Sequence, residues 1–462
     1  MRFLVLGAGL QGFAAAYDLA RTPGVREVTV ADLDADRARR AAERLRNETA
    51  AVRAETIDAG NDPRLVERLR GYDVVISAVP YFLNLILTRA AIAARVSFCD
   101  LGGNTDLVRE QEALDAEAKA AGVTIVPDCG LAPGMANVLA AAGIARLDRA
   151  ESVRIRVGGL PLHPKPPLEY MMVFSMHGLL NEYLGRATAL REGKRVEIET
   201  LTEVESLEFP SPVGRCEAFV TLGGTSTMPW TYEGRLRTLD YKTVRYPGHA
   251  AKIRLLRDLG LLEKDPAPVD GVSVSPRSVF AAVVEPRLTF PNETDLVVMR
   301  VTVEGTKNGS RRQIVFEMVD RQDEKRGISA MMRTTAYPTT AAALMIARGE
   351  VPFRGVAAME RAIPAEPFVA EIAHHELRIT VRERALSPSS GTGRRAGAKK
   401  GAKPAGAARG KASPARRKGG PARKNRASAT APRRKPARAP SPRGRGTGAA
   451  ARAPKRGRRK PR

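Results

Sequence analysis

Two rhythms of apolar and polar positions divide the chain. Through the first 128 residues, short apolar runs end in small or acidic residues: Leu6-Gly7, Ala31-Asp32, Ile57-Asp58, Ile76-Ser77, Cys99-Asp100 and Pro127-Asp128. Between most of them lie helical patterns such as ADRARRAAERL, NDPRLVERLR and REQEALDAEAKAAG. Strand–helix alternation at this spacing predicts a parallel sheet covered on both faces. From about Ser152 the rhythm changes. VRIRVGGLP, RVEIETL, EAFVTLGG, TVRY and DLVVMRVTVEGTK read as strands with few helices between them, and QIVFEMVDR and SAMMRTTAY as two more. This predicts an antiparallel α+β domain. After Tyr337, PTTAAALMIARGE reads as a proline-initiated helix that folds back onto the first domain.

Composition changes the picture at one end. Beyond Leu386 only Ala, Gly, Pro, Ser, Thr, Asn, Lys and Arg occur, so burial cannot offset chain entropy and a disordered tail is expected. The net charge of +26 belongs to it. Residues 387–462 carry 26 of the 76 Lys and Arg and no acid, which leaves 50 basic against 50 acidic residues in the body. A tail of this kind predicts electrostatic, sequence-independent contact with nucleic acid, or else an inert solvated extension. By composition alone it resembles the basic tails of linker histones. No run approaches the ~18 apolar residues of a membrane span, and the apolar run before Gly7 is too short for a signal peptide. Cys99, Cys129 and Cys216 show no metal spacing, which fits a reducing cytoplasm. His374 and His375 sit in a charged stretch and read as surface residues.

The richest motif stands at the start. Phe3–Leu6 runs into Gly7-x-Gly9-x-x-Gly12, a helical stretch follows, and a second apolar run ends at Asp32, twenty residues past Gly12. This is the fingerprint of a dinucleotide-binding βαβ unit. Gly7 allows the tight turn, Gly9 lets backbone approach a pyrophosphate, and Gly12 lets helix pack on strand. The first helical turn, with Leu10 and Gln11, offers free N–H groups to phosphate. Asp32 would accept from both ribose hydroxyls and repel a 2′-phosphate, favouring NAD over NADP. In such sheets the ligand lies beyond the carboxyl ends of the strands, where Asp32, Asp58, Ser77, Ala78, Asp100 and Asp128 fall. Each of these also has a purely structural reading as a helix cap or turn residue. The fold class is therefore α/β: an N-terminal Rossmann domain with a doubly wound parallel sheet, a second α+β substrate domain, and the basic tail. The expected boundaries are 1–130, completed by a returning helix near 338–350, then 131–335, 336–386 and 387–462.

Three later stretches carry candidate chemistry: PDCGLAPGMAN (127–137), PPLEYMMVFSMHGL (166–179), and GGTSTMPW (223–230) with DYKTVRYPGHA (240–250). A regular strand would send Lys242 to one face and Arg245 to the other. The order GAGLQG, ADLD, DLGG, DCGLAPGM, PPLEY, GGTST, YKTVRYPGH and TAYPTTAAALM resembles the saccharopine dehydrogenase family across residues 1 to about 385, and within it the lysine 6-dehydrogenases. The resemblance implies a homodimer or larger assembly, and NAD-dependent oxidation of the ε-amine of lysine to allysine, which cyclises to a piperideine carboxylate. Arg245, whose planar fork matches a carboxylate, is the expected anchor of the substrate's α-carboxylate, with Tyr170 and Thr225 beside it. Asp128 is placed by its motif near the nicotinamide, and Lys242, Glu169 and His249 are unranked candidates for the base. Cys129 stands where lysine 6-dehydrogenases more often carry an aliphatic residue. His177 matches no motif and is assigned no catalysis. The alternatives are a saccharopine or carboxynorspermidine dehydrogenase/reductase of the same family, and a non-catalytic NAD-sensing protein associated with nucleic acid. The expected location is cytoplasmic, with nucleoid association through the tail.

Overall fold

A computed structural model describes residues 1–386. The tail expectation concerns 387–462 and lies outside the described residues. Six strands, β1 (Arg2–Leu6), β2 (Glu27–Asp32), β3 (Ala51–Thr56), β4 (Val74–Ser77), β5 (Ser97–Asp100) and β6 (Thr124–Val126), pair in parallel in the order 3-2-1-4-5-6. The fully buried Phe3–Val5 and Val74–Ile76 show why the central strands read as unbroken apolar runs. The register sets Leu6 beside Ala31 and Ser77, and Ser77 beside Asp100. The carboxyl ends of these strands therefore lie side by side along one edge.

The second sheet is built from β7 (Arg149–Pro161), β8 (Arg186–Arg191), β9 (Lys194–Glu199), β10 (Glu205–Phe209), β11 (Gly214–Val220) and β12 (Thr238–Arg245). After a small hairpin of β13 (Ala267–Val269) and β14 (Val272–Val274), the long β15 (Asp295–Lys307) and β16 (Ser310–Arg321) complete its centre. Period-two alternation sends Val153, Ile155, Val301, Val303, Ile314 and Phe316 to one face. There they join the main core with the helices Met135–Ala145 and Ala330–Ala347.

The C-terminal segment returns to both sheets. The short β17 (Gly355–Val356) extends the first sheet beyond β6, and β18 (Thr380–Ala385) pairs antiparallel with β16. The expected returning helix forms and packs on the helix Leu10–Arg21. It begins at Ala330 under a Ser329 cap, so SAMMRTTAY is helix rather than strand, and Pro338 lies inside it rather than at its start. Burial explains the difference. Both stretches are apolar enough for either element, and only packing against the first domain decides. His375 corrects another expectation. It is 3 % exposed and its Nδ1 meets the buried Asp18 carboxylate at 2.5 Å, with Glu371 3.3 Å from Nε2. Burial opposes its charge, but Asp18 and then Glu371 push the imidazole up to about 9. His374 is exposed, as expected.

Candidate active site

The glycine turn has the geometry its spacing implies. A Cβ on Gly7 would lie 2.6 Å from the Ala78 carbonyl oxygen, and one on Gly12 would lie 1.7 Å from the Gly7 oxygen. At Gly9 a Cβ would meet nothing within 4 Å, so the backbone there faces open space. Gly9 caps the helix without a side chain, and the exposed Leu10 and partly buried Gln11 form its first turn. These residues fit a dinucleotide phosphate. Asp32 closes β2, and its Oδ2 accepts from Ala8 N at 2.8 Å and its Oδ1 from Asp34 N at 2.9 Å. Arg37 Nη1 stands 3.6 Å from the same Oδ1.

The other strand-end groups divide. Asp100 is fully buried and occupied: Oδ1 accepts from Gly102 N at 2.7 Å and Asp128 N at 3.2 Å, and Oδ2 from Gln111 Nε2 at 2.8 Å. It positions the Asp128 loop rather than meeting a cofactor. Ser77 donates inward to Asn84 Oδ1 at 2.8 Å, and Asp58 Oδ1 accepts from Gly60 N at 3.0 Å, holding its own turn. For these three the cap or turn reading describes the side chain, and only Ala78 presents backbone beside the glycine turn.

A cleft of ≈ 1330 Å³ runs from Gln11 and Tyr81 past Asp128 to Arg245 and Arg277. Asp128 is left-handed, with φ 58°, and buried. Ser226 Oγ donates to its Oδ2, while Oδ1 is buried without a partner among the described residues. Burial, then the nearby Asp100 charge, pushes the carboxyl up to about 8. Thr225 lies beside it in the cleft wall, and Asn137 Nδ2 donates to its carbonyl at 3.3 Å.

β12 is regular, and its alternation decides between the two cations. Tyr241, Thr243 and Arg245 line the cleft. Lys242 turns to the opposite face, donating to Glu203 O at 2.6 Å and pairing with Glu205 Oε2 at 3.0 Å, so it is not the base. Glu169 is also excluded, because it faces away from the cleft and pairs with Lys252. His249 sits behind Arg245. Its Nδ1 is 2.9 Å from the Leu168 carbonyl, which can only accept, so Nδ1 carries the proton and Nε2 accepts from Tyr183 Oη at 2.9 Å. Burial, reinforced by Arg245, lowers this imidazole to about 3. A ring held neutral by such partners orients its neighbours and is a poor proton carrier.

Arg245 is buried; its Nε donates to Tyr183 Oη at 3.3 Å and its Nη1 to Val244 O at 2.9 Å. The Tyr170 ring lies 4.7 Å from its guanidinium, behind it rather than in the cleft. No carboxylate pairs with Arg245 among the described residues. The sequence assigned no role to Glu182, to Tyr241, the wall against which Gly224 packs, or to Arg277, all of which line the cleft. A Cβ on Gly224 would lie 2.3 Å from the Tyr241 ring, which accounts for the glycine in GGTST. Arg277 is 5 % exposed, donates to Asn181 Oδ1 at 2.8 Å, and also lacks a carboxylate partner among the described residues.

Residues 3–126 match the saccharopine dehydrogenase NADP binding domain, and residues 130–377 match the saccharopine dehydrogenase C-terminal domain. The chain belongs to the saccharopine dehydrogenase family. It is thereby an oxidoreductase with a nicotinamide cofactor. Among curated relatives, the carboxynorspermidine synthase of Vibrio alginolyticus is 24% identical over 415 residues, covering 80% of this chain and 94% of that protein. The saccharopine dehydrogenase [NADP(+), L-glutamate-forming] of Saccharomyces cerevisiae is 27% identical over 221 residues, 46% of this chain and 49% of that one. The apo structure of saccharopine dehydrogenase (L-Glu forming) from Saccharomyces cerevisiae superposes with a TM-score of 0.68 at 21% identity, covering 84% of this chain and all of that one. Gln11 of the glycine turn, Asp128 and Arg245 line the same cleft. No metal-type cluster of His, Cys, Asp and Glu occurs among the described residues.

Proposed function

We propose that the protein catalyses NAD-dependent oxidative deamination of the ε-amine of L-lysine to allysine, which cyclises to a piperideine carboxylate. The observation that carries the reading is Asp128: a buried carboxyl raised to about 8 that shares one cleft with Arg245, its Oδ1 unpartnered and Arg245 without a carboxylate partner among the described residues. A dinucleotide held through its pyrophosphate at the glycine turn would supply the hydride acceptor. In its ionised form, Asp128 takes a proton from the substrate ammonium, whose ordinary pKa is about 10.4. Transfer to a group near 8 is uphill by about 3 kcal/mol, and burial of the ammonium in the cleft lowers that cost. Ser226 holds Oδ2 of the carboxylate, and Oδ1, packed beside Gly102, has no hydrogen-bond partner among the described residues. After hydride leaves the carbon, water adds to the iminium and ammonia departs. Arg245, locked by Tyr183, receives the α-carboxylate.

NAD is favoured by Asp32. Arg37, in the first turn of the helix after β2 and 3.6 Å from Asp32 Oδ1, supports the opposite reading, since a guanidinium there suits a 2′-phosphate. A second substrate reading rests on Arg277. A buried arginine with no carboxylate partner among the described residues favours a substrate with a second carboxylate, as in the saccharopine-type reaction. The proposal extends to a cytoplasmic homodimer or larger assembly, and to nucleic-acid contact through residues 387–462. The test is NADH or NADPH absorbance with a panel of lysine, saccharopine and other amines. Lysine-dependent NADH formation is expected. In that assay Arg245→Ala should lower kcat/KM for lysine about 10- to 100-fold, the worth of one charge-assisted hydrogen bond. Turnover only with a dicarboxylate or only with NADPH overturns the lysine and NAD assignments respectively.

A further inference from the structure

Glu182 is the last residue of the helix Met176–Glu182 and lines the cleft. Its backbone is fixed by Leu222 N, which donates to its carbonyl at 3.0 Å. Its carboxylate has no ion pair or hydrogen bond among the described residues. Burial pushes it up to about 7, with the Arg245 charge opposing. Two opposite charges thus face one cleft, near enough to influence each other, and do not close into an ion pair. Opposite charges lining one cleft normally pair directly, so something must hold the buried Arg245 and the half-buried Glu182 apart.

The adjacent residue does so. Tyr183 Oη accepts from Arg245 Nε and donates to His249 Nε2, and His249 Nδ1 donates to the Leu168 carbonyl. A second restraint comes from Arg245 Nη1, which donates to Val244 O. The guanidinium is therefore tethered on its own side of the cleft and cannot swing to Glu182. What remains is a tethered cation and an unpaired carboxylate lining the same cleft. An α-amino acid head group carries a carboxylate and an ammonium on one carbon, and so presents the complementary pair.

We propose that Glu182 binds the α-ammonium of the substrate while Arg245 binds its α-carboxylate, so that the cleft selects zwitterionic α-amino acids over amines or acids lacking the α-amino group. This rests on the amino-acid reading of the cleft and names the residue that enforces it. Glu182 is here a specificity residue distinct from the proton acceptor, Asp128.

The experiment titrates wild type and Glu182→Gln, both carrying bound NADH, with L-lysine and with 6-aminohexanoate, its desamino analogue. Wild type is expected to bind lysine about 10- to 100-fold more tightly than 6-aminohexanoate, the range of one charge-assisted hydrogen bond. The variant is expected to bind the two within about two-fold of each other, with NADH affinity unchanged as the check on folding. Equal affinities in wild type, or a variant that keeps the preference, overturn the proposal. Lysine turnover is measured separately. If lysine is neither bound nor oxidised, the lysine reading fails and the same titrations are made with L-2-aminoadipate and adipate. A Glu182-dependent preference for the amino member of that pair then upholds this proposal. Its absence from both pairs overturns it.

Discussion

Replacing His375 by Gln should destabilise the protein in a pH-dependent way. The imidazole belongs to a buried cluster in which Asp18 also accepts from Thr340 and pairs with Arg21 at 3.2 Å. Its rise from 6.5 to about 9 in the folded protein corresponds to about 3 kcal/mol of stabilisation by protonation. The sign follows from the direction. A group raised on folding contributes fully below its unfolded pKa of 6.5, and its contribution fades as pH climbs through about 9. Urea unfolding of both proteins from pH 6 to 10 measures this. The gap between wild type and H375Q is expected to be about 3 kcal/mol near pH 6 and to shrink by most of that above pH 9. A gap that stays constant across the range would show that His375 packs as a neutral ring, and the charged reading of the Asp18 cluster would be wrong.

Gly102→Ala is expected to lower Tm and abolish most turnover. The residue has φ +73°, which costs a non-glycine about 1–2 kcal/mol, and its Cβ would lie 1.8 Å from Asp128 Oδ1; normal kcat would remove Asp128 from the reacting position. Asp32→Ala should narrow the preference for NAD over NADP in kcat/KM, and a wild type that prefers NADP would transfer the decision to Arg37. Ending the chain at Leu386 should leave dehydrogenase activity intact and abolish DNA retention at low salt. For the full-length chain, engaging about 8 phosphates implies a slope near −7 in log K against log salt. Equal DNA binding by the two forms would clear residues 387–462 of that role.

The parts readable in advance were those set by neighbours in sequence. Gly7, Gly9, Gly12 and Asp32 obey a local geometry, so their spacing sufficed for the turn and the parallel sheet. Asp128 was placed by the loop that follows its strand. Alternation separated Lys242 from Arg245, but nothing local says which face of β12 meets the cleft, and Lys242 lies on the other one. Glu182 and Arg277 reach the cleft from helices in a stretch with no motif. Only the pairing of β11 with β12 and the packing of those helices bring them there. Asp100 and Ser77 stood at the right strand ends, yet their side chains hold the scaffold, because a buried polar group takes the first partner within reach. SAMMRTTAY and His375 were misread for a related reason, since both owe their state to contact with the first domain more than 300 residues earlier.

The return of the C-terminal segment bears on how the chain is made. β17 shields the β6 edge, and the helix Ala330–Ala347 covers the helix Leu10–Arg21. During synthesis, the first 126 residues would emerge with an unpaired sheet edge and an uncovered helix face, and would wait for more than 200 further residues before either is closed. Such long-range closure slows folding and exposes a pairing surface meanwhile. Expressed alone, the nucleotide-binding half should aggregate or recruit a chaperone. The same half supplied with residues 330–377 in trans should be rescued.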